Sequence, residues 1–513
     1  MANVYDAVII GAGNAGLTAA IRLRMEGKKT LLIERHHTPG GCGTSFRRGR
    51  FEFEVSIHEL CGVGDRKNQG SSGERVARLN MDFERVLLKD CFRTIGNFRD
   101  GGLMDATMPS GRESFIDAME NYVPGSRDSM ERLFDLLEEF RYCMDLLLAS
   151  DGNLPVKELL TKCADVFECG TYSTLKVMEK LKVPDRAADI LASYWSYLGV
   201  PLDELPFLHY ALMIRDYIYI QPTIPKHTAH EISEKAIDTY RKLGGEVWFG
   251  VEAEEILFTD GTVSGVRTSA GTVSCRAVLP NMNPDTVFTK LVPEKEVPAT
   301  VRKTMAARGG SYSGYLAVVY FGLNKTAKEI GIKDYTCFLS RTADTRETYE
   351  RAKCFDTDDY TIFTCPSVVN PDASPEGTSV CTFTYLFSKD VWDVSPEEYF
   401  RMKTELEARS IRLFRERYGV DLRPYIEEAE VSTPLTNARY VGTPEGAVYG
   451  YHIGGWDNML ARKMTEEKEY PVKGIFPIGG AMAGGLGYCM VWASGEDTAL
   501  RVTEYLGGEE KKA

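Results

Sequence analysis

The residues whose types and spacing suit chemistry lie close to the amino terminus. Gly11, Gly13 and Gly16 follow the apolar run Ala7-Val8-Ile9-Ile10 in G-x-G-x-x-G order. Such a run is of strand length, and the glycines after it have separate uses. The first permits a tight turn, the second lets a pyrophosphate approach the backbone, and the third lets the following helix pack on the strands. The helix N-terminus offers free N–H groups and partial positive charge to phosphates. Glu34 comes 18 residues after Gly16. A carboxylate at the end of the second strand can accept hydrogen bonds from both ribose hydroxyls and would repel a 2′-phosphate. The competing interpretation is a glycine-rich turn in an ordinary α/β protein.

The elements needed to position these groups are legible around them. Leu17, Ala20, Ile21 and Leu23 fall on one side of a helix expected from Ala15 to Met25. Gly27 ends it, and Thr30-Leu31-Leu32-Ile33 reads as a second strand. A second glycine turn, Gly40-Gly41, follows Pro39 soon after Glu34. A nicotinamide domain would pass straight to its next helix here, so this turn suits a longer cofactor and favours FAD over NAD.

At 513 residues the chain is long enough for two domains. A net charge of −13 argues against a nucleic-acid partner, whose phosphates need basic patches, and gives no help to docking on anionic membranes. The polar start MANVYD leads directly into the nucleotide strand, so no secretory signal is expected. No apolar run approaches 18 residues, which excludes a spanning helix and leaves room only for weak peripheral membrane contact. The 12 cysteines are scattered without C-x-x-C spacing. They are expected to be buried thiols of a cytoplasmic protein, with no metal site. Cys42 and Cys61, near the expected flavin, stand apart from that expectation.

The stretch ERHHTPGGCGTSFRRGRFEFEVSIHELCG, residues 34–62, resembles the signature of the phytoene desaturase, carotenoid isomerase and retinol saturase family of FAD-dependent flavoproteins. A later match, VSTPLTNARYVGTPEGAVYGY at 431–451, resembles the retinol-saturase and carotenoid-isomerase side of that family. The resemblance implies that the segment carrying His58 and Glu59 runs beside the isoalloxazine ring. Either residue would then face flavin or substrate, or else fix the loop. It also implies that Val251 pairs its backbone with the adenine and that the strand into Asn281 passes near the pyrophosphate. The turn Gly479-Gly480 before the last helix would lie near the ribityl chain. Asn14, Ala15, Arg35, Thr44, Ser45, Gly487, Met490 and Val491 complete the expected cofactor contacts. Arg439 and Tyr440 join His58 and Glu59 as candidate proton donors. Two departures from the family pattern stand out: Pro225-Lys226-His227 replaces a frequent glycine pair, and Gly480 replaces a frequent Asp.

The expected architecture is α/β. A Rossmann-like FAD-binding domain, a parallel sheet with a β-meander, is assigned to residues 1–88, 225–300 and 445–513. A discontinuous α+β substrate-binding domain takes 89–224 and 301–444. An apolar stripe through Met130, Leu133, Phe134, Leu137 and Phe140 reads either as core or as a substrate wall. The expected function is hydride transfer at carbon–carbon bonds of an apolar unsaturated small molecule, as saturation, desaturation or redox-neutral isomerisation, with NAD(P)H or another compound as electron donor. A flavin amine oxidase, a lipid- or prenyl-binding escort protein without flavin, and a plain NAD enzyme are the alternatives. Peroxide release with amines would mark the first, and absence of flavin the other two.

Overall fold

A computed structural model describes residues 4–149, 156–357, 360–454, 456–482 and 487–510. Two sheets organise the chain. The first has six strands. Val4–Ile10 (β1) lies between Thr30–Glu34 (β2) and Gly271–Pro280, parallel to both, and Glu246–Phe249 adds a further parallel strand beside β2. Ala253–Thr259 and Thr262–Thr268 extend the other edge as an antiparallel meander. Its turn at Asp260-Gly261 has φ of 50° and 70°, the positive pair that a tight hairpin requires.

The continuous apolar run of β1 follows from burial on both faces. Ala7 and Ile9 pack into one cluster with Leu17, Ala20 and Trp492. Val8 and Ile10 pack into another with Val266, Val278 and Val287. Asn14–Met25 (α1) covers the first face, with eight of its residues buried, Ala15 to Ile21 and Leu23.

The second sheet has seven strands, drawn from 90–109 and 315–432. It is antiparallel except where Thr336–Ser340 runs parallel to Asp90–Asn97. Tyr315–Leu323 lies within it. Ala317, Val319, Phe321 and Leu323 meet the helix Pro396–Tyr418 through Leu406, Leu413 and Phe414. Val318 and Tyr320 face the other way, onto Phe51 and Phe53. Those two phenylalanines belong to a hairpin, Ser45–Arg48 with Phe51–Glu54, that leaves the nucleotide region and docks on this sheet. A Cβ on Gly322 would sit 2.5 Å from the Phe51 ring, so glycine is needed for the docking. Arg48 pairs with Glu430 at 2.8 Å and Arg50 with Glu427 at 2.7 Å, fastening the rim. The segment after the hairpin, residues 55–62, is thereby held between the two sheets.

Helices of 112–219 form a third layer whose buried stripe includes Met130, Leu133, Phe134, Leu137 and Phe140. That stripe is core: Phe134 meets Phe115, and Phe140 meets Phe207, edge to face. The Pro184–Leu198 stretch, expected as one helix, breaks into Asp185–Leu191 and a tighter 3₁₀ turn, Ala192–Tyr197. The 3₁₀ turn sets Tyr194 and Tyr197 toward Glu59.

Candidate functional site

The glycine turns converge. Gly40 donates its N–H to the Ala12 carbonyl at 2.8 Å. A Cβ on Gly41 would lie 3.2 Å from Gly13 Cα. Gly16 is the tightest position of the first turn: a Cβ there would lie 2.0 Å from the Gly11 carbonyl oxygen. Asn281, one residue beyond its strand, reaches into this space. Its Nδ2 lies 3.4 Å from the Gly11 oxygen and would be 2.9 Å from a Cβ on Gly13, while its Oδ1 would be 2.9 Å from a Cβ on Gly479. The two amino-terminal turns and the carboxy-terminal one thus line a single groove around one amide side chain.

Charge in the groove is arranged for phosphate. Gly13 caps α1 with no side-chain bond, and the first turn of α1 carries no acid. Its N–H groups are left to a ligand, and the helix dipole favours an anion there. Glu34, 8 % exposed, accepts from the Ala12 N–H at 2.7 Å and from the His36 N–H at 2.8 Å. These bonds fix its carboxylate where the sequence places the ribose. Backbone walls too close for side chains, an uncapped helix and a fixed acid together fit a dinucleotide.

The other end of the same segment is apolar and holds ionisable groups. Glu59 is 7 % exposed. Its Oε1 accepts from the hydroxyls of Tyr194 and Tyr197, each at 3.2 Å. Its Oε2 is buried with no partner among the described residues. Tyr194 stacks on Tyr217 with ring centres 5.0 Å apart and meets Phe92 edge on. Burial pushes the Glu59 carboxyl up to about 8, against the smaller opposing pull of the two phenols. His58 next to it bonds Thr384 Oγ1 at 2.9 Å, and burial lowers its pKa to about 4. At neutral pH Glu59 therefore holds a proton and His58 does not. The Tyr335 hydroxyl donates to the His58 carbonyl and fixes the backbone of the pair. A pocket beside His58 is lined by the apolar Phe53, Ile57 and Val380, the hydroxyl-bearing Thr364, Thr382 and Thr384, and the ionisable Glu52, Glu54 and His227.

The other expected donors lie elsewhere. Tyr440 is 56 % exposed, and its backbone carbonyl accepts from the His36 ring at 2.5 Å and from Arg35 at 3.4 Å. Exposed Arg439 lies over the Tyr440 ring. The short helix Pro434–Tyr440 thus packs beside Arg35 and His36, next to Glu34, and does not bring these two side chains to His58 and Glu59. Proximity in sequence to a family-like motif could not distinguish the two ends of a long groove.

The remaining expected contacts divide. Asn14 Oδ1 accepts from the Trp492 indole at 3.2 Å, tying α1 to the C-terminal helix, Gly487–Glu510. Gly479 donates to Ser494 Oγ at 3.1 Å, and a Cβ on Gly480 would meet Val491 at 3.5 Å, so the last turn is docked on that helix. Ala15 packs beneath the same helix, and Met490 is half-buried in its first turn. Gly487 opens the helix, and the stretch just before it, residues 483–486 with Gly484 and Gly485, lies outside the described residues. The Thr44 hydroxyl bonds locally, to the Ser45 carbonyl, and its own carbonyl accepts from the Val55 N–H at 3.4 Å. The Ser45 hydroxyl turns instead to Glu52 of its hairpin at 2.6 Å, because residues 45 and 52 are near neighbours across the pairing. The Val251 N–H is spent on the Glu34 carbonyl at 3.0 Å, so of its two backbone groups only the carbonyl is left for an adenine.

Sequence reasoning saw Trp492 and Gly495 in the last motif and an aromatic cluster at Tyr194, Tyr197 and Tyr217, but did not connect the first two with α1 or the tyrosines with Glu59. A Cβ on Gly495 would lie 2.1 Å from the Ala15 carbonyl and 2.2 Å from Thr18 Oγ1. That contact seats the C-terminal helix on α1. Its one available signal was a lone glycine inside a helical pattern. Buried Glu496 secures the same helix to Arg75 at 2.7 Å and to Arg78 at 2.8 Å.

Comparison with known proteins agrees with this geometry. A family model for an NAD(P)-binding Rossmann-like domain matches residues 9–69. All-trans-retinol 13,14-reductase of Danio rerio is 23 % identical, across 92 % of this chain and 82 % of its own. Prolycopene isomerase 2 of an Oncidium hybrid cultivar is 22 % identical, across 99 % and 86 %. Among solved structures, an oxidoreductase from Methanosarcina mazei superposes with a TM-score of 0.65 at 15 % identity, covering 97 % of this chain and 100 % of its own. Cyclohexylamine oxidase from Brevibacterium oxydans does so at 0.62 and 14 %, covering 98 % and 99 %. On a fold shared with these oxidases, the chain is a relative over nearly its whole length of the all-trans-retinol 13,14-reductases and prolycopene isomerases.

Proposed function

We propose that the protein is an FAD-dependent oxidoreductase that adds, removes or relocates hydrogen at carbon–carbon bonds of an apolar unsaturated small molecule. The observation that carries this reading is the pairing of two ends on one segment. Residues 40–43 line a dinucleotide groove, and residues 58–59 present a protonated carboxyl in an aromatic cage. The names of the relatives, reductases and isomerases of polyenes, support the same class.

When bound, FAD would supply hydride donation and acceptance at its N5 atom. The chain's residues do the rest. Glu34 and the N-terminus of α1 hold the ribose and pyrophosphate. The third glycine turn, with the C-terminal helix behind it, suits the ribityl end. Saturating a double bond needs a proton at one carbon in addition to hydride at the other. Glu59 carries a proton at neutral pH, and its Oε2 is committed to nothing among the described residues. Tyr194 and Tyr197 hold Oε1, so the acid points one way. The cage excludes water, which protects the exchange from solvent protons. The pocket by His58 mixes apolar side chains with threonines, Glu52, Glu54 and His227, which suits an apolar molecule that carries a polar group.

A visible spectrum of the purified protein, repeated after anaerobic NADH, NADPH or dithionite, tests the assignment. Flavin bands that bleach reversibly, followed by loss of absorbance of an added polyene, are expected. A protein without flavin that takes up no added FAD overturns it. Hydrogen peroxide release with amines, without polyene turnover, would move the protein to the amine oxidases.

A further inference from the structure

Cys61 and Cys489 meet across 428 residues of chain, with their sulfurs 3.9 Å apart. The Cys489 thiol donates to the Cys61 carbonyl at 2.8 Å. Both are half-buried, whereas eight of the other cysteines are fully buried. Oxidation needs partial access, which the eight lack. The pair also joins two functional elements. Cys61 lies two residues beyond Glu59. Cys489 lies in the first turn of the helix that follows the third glycine turn. Nearby, the Tyr488 and Ser56 hydroxyls are 2.7 Å apart, so the helix start and the 56–61 segment already touch at a second point.

We propose that Cys61 and Cys489 are a redox-active pair that forms a reversible disulfide by exchange with a low-molecular-weight disulfide, fastening the Glu59 segment to the C-terminal helix. Bond formation requires the sulfurs to close to about 2.05 Å, a movement of about 2 Å that two side-chain rotations can share. Cys489 is the attacking sulfur, because the Cys61 thiol donates its proton toward it. Its thiolate attacks one sulfur of the small disulfide, the S–S bond breaks, and one small thiolate leaves. A mixed disulfide remains on Cys489. The Cys61 sulfur, having given its proton to solvent, then attacks the Cys489 sulfur and expels the second small thiolate. The protein loses two protons and two electrons, and the small disulfide gains them to become two thiols. The bond that the Cys61 thiol donates to the Cys489 sulfur, together with burial, holds that thiol well above its ordinary range, which suits the second, intramolecular role.

This inference does not depend on the proposed reaction, since it concerns thiols of the chain alone. The full-length protein would be incubated with oxidised glutathione and analysed by intact mass, maleimide trapping and peptide mapping. The expected product has lost two hydrogen masses, contains a 61–489 cross-linked peptide and is restored by dithiothreitol. Cys61→Ser should stop at a glutathione adduct on Cys489, and Cys489→Ser should give no cross-link. Amide exchange in residues 56–62 of the oxidised protein should slow by roughly tenfold or more. The double serine variant, melting with the reduced wild type, controls for folding. Full maleimide labelling of both cysteines after oxidation, or glutathione adducts without the cross-link in the wild type, would overturn the proposal.

Discussion

The Tyr194 hydroxyl donates to Oε1 of Glu59 at 3.2 Å, and the opposite oxygen of that carboxyl is buried with no partner among the described residues. A buried carboxylate with a bare oxygen would be costly, whereas a protonated acid with one oxygen anchored is stable there. Burial accordingly raises this group to about 8. As a proton donor it should fail when it ionises. Turnover limited by that proton is expected to fall as pH rises through about 8. Glu59→Gln should lower kcat by a factor of about 10² to 10⁴, the usual worth of a general acid, and its residual rate should be flat across that range. Equal pH profiles for both proteins would remove Glu59 from the chemistry.

The same shift has a consequence for stability. The folded carboxyl titrates near 8 and the unfolded one near 4.5. Between those values the folded state binds the extra proton, so this group makes the protein less stable as pH rises from about 4.5 to about 8. Glutamine cannot ionise. The melting temperature of Glu59→Gln relative to wild type should therefore climb across that window and level off above it. A difference independent of pH would mean that the carboxyl is charged in the folded protein.

Much of the groove was legible in the sequence because its signals are local. The spacing of Gly11, Gly13, Gly16 and Glu34 dictates one strand–helix–strand unit, and the continuous run of β1 announces burial on both faces. The aromatic clustering of the cage was legible, but its contact with Glu59 was not. Tyr194 and Tyr197 reach Glu59 only because the chain tightens into a 3₁₀ turn and the 45–54 hairpin carries the acid to another sheet. The hairpin itself alternates visibly in sequence, but neither its docking nor the 3₁₀ turn has a local periodic signature. Arg439 and Tyr440 show the converse: the motif around them was visible, but its place in the fold was set by long-range packing on Arg35 and His36.

That placement separates two roles. Arg439→Ala and Tyr440→Ala should each keep kcat within about twofold, since surface changes away from special contacts are nearly neutral. His36→Ala removes the ring that holds the Tyr440 carbonyl and should weaken flavin retention instead. A large loss of kcat in Arg439→Ala with flavin fully bound would return that residue to the reacting end.

Glu34 should dominate affinity at the same end. Its carboxylate takes the Ala12 and His36 N–H groups and is positioned for ribose hydroxyls. Hydrogen bonds to a charged group are worth about 1.5–3 kcal/mol. Glu34→Gln should therefore raise the flavin Kd by about 10- to 100-fold, measured by fluorescence titration of the deflavinated protein, with melting lowered only modestly. Unchanged affinity would mean that the ribose is held elsewhere.

The seating of the C-terminal helix gives a test that needs no cofactor. Gly495 lets this helix approach the Ala15 carbonyl and Thr18, and a methyl there would lie 2.1 Å and 2.2 Å from their oxygens. Neither atom is the free end of a flexible chain: Thr18 Oγ1 already bonds the Trp492 carbonyl at 3.1 Å. Gly495→Ala must then push the helices apart, at a cost of about 1–3 kcal/mol for overpacking. Displacing the helix also moves Trp492 from Asn14 and Ser494 from Gly479, two bonds that tie the first and third glycine turns to it. The variant should melt lower than wild type without ligand and also bind flavin more weakly. Alanine at Gly507, where nothing lies within 4 Å of the added Cβ, should change neither. If both variants melt and bind as wild type does, the helix is not seated on α1 through Gly495.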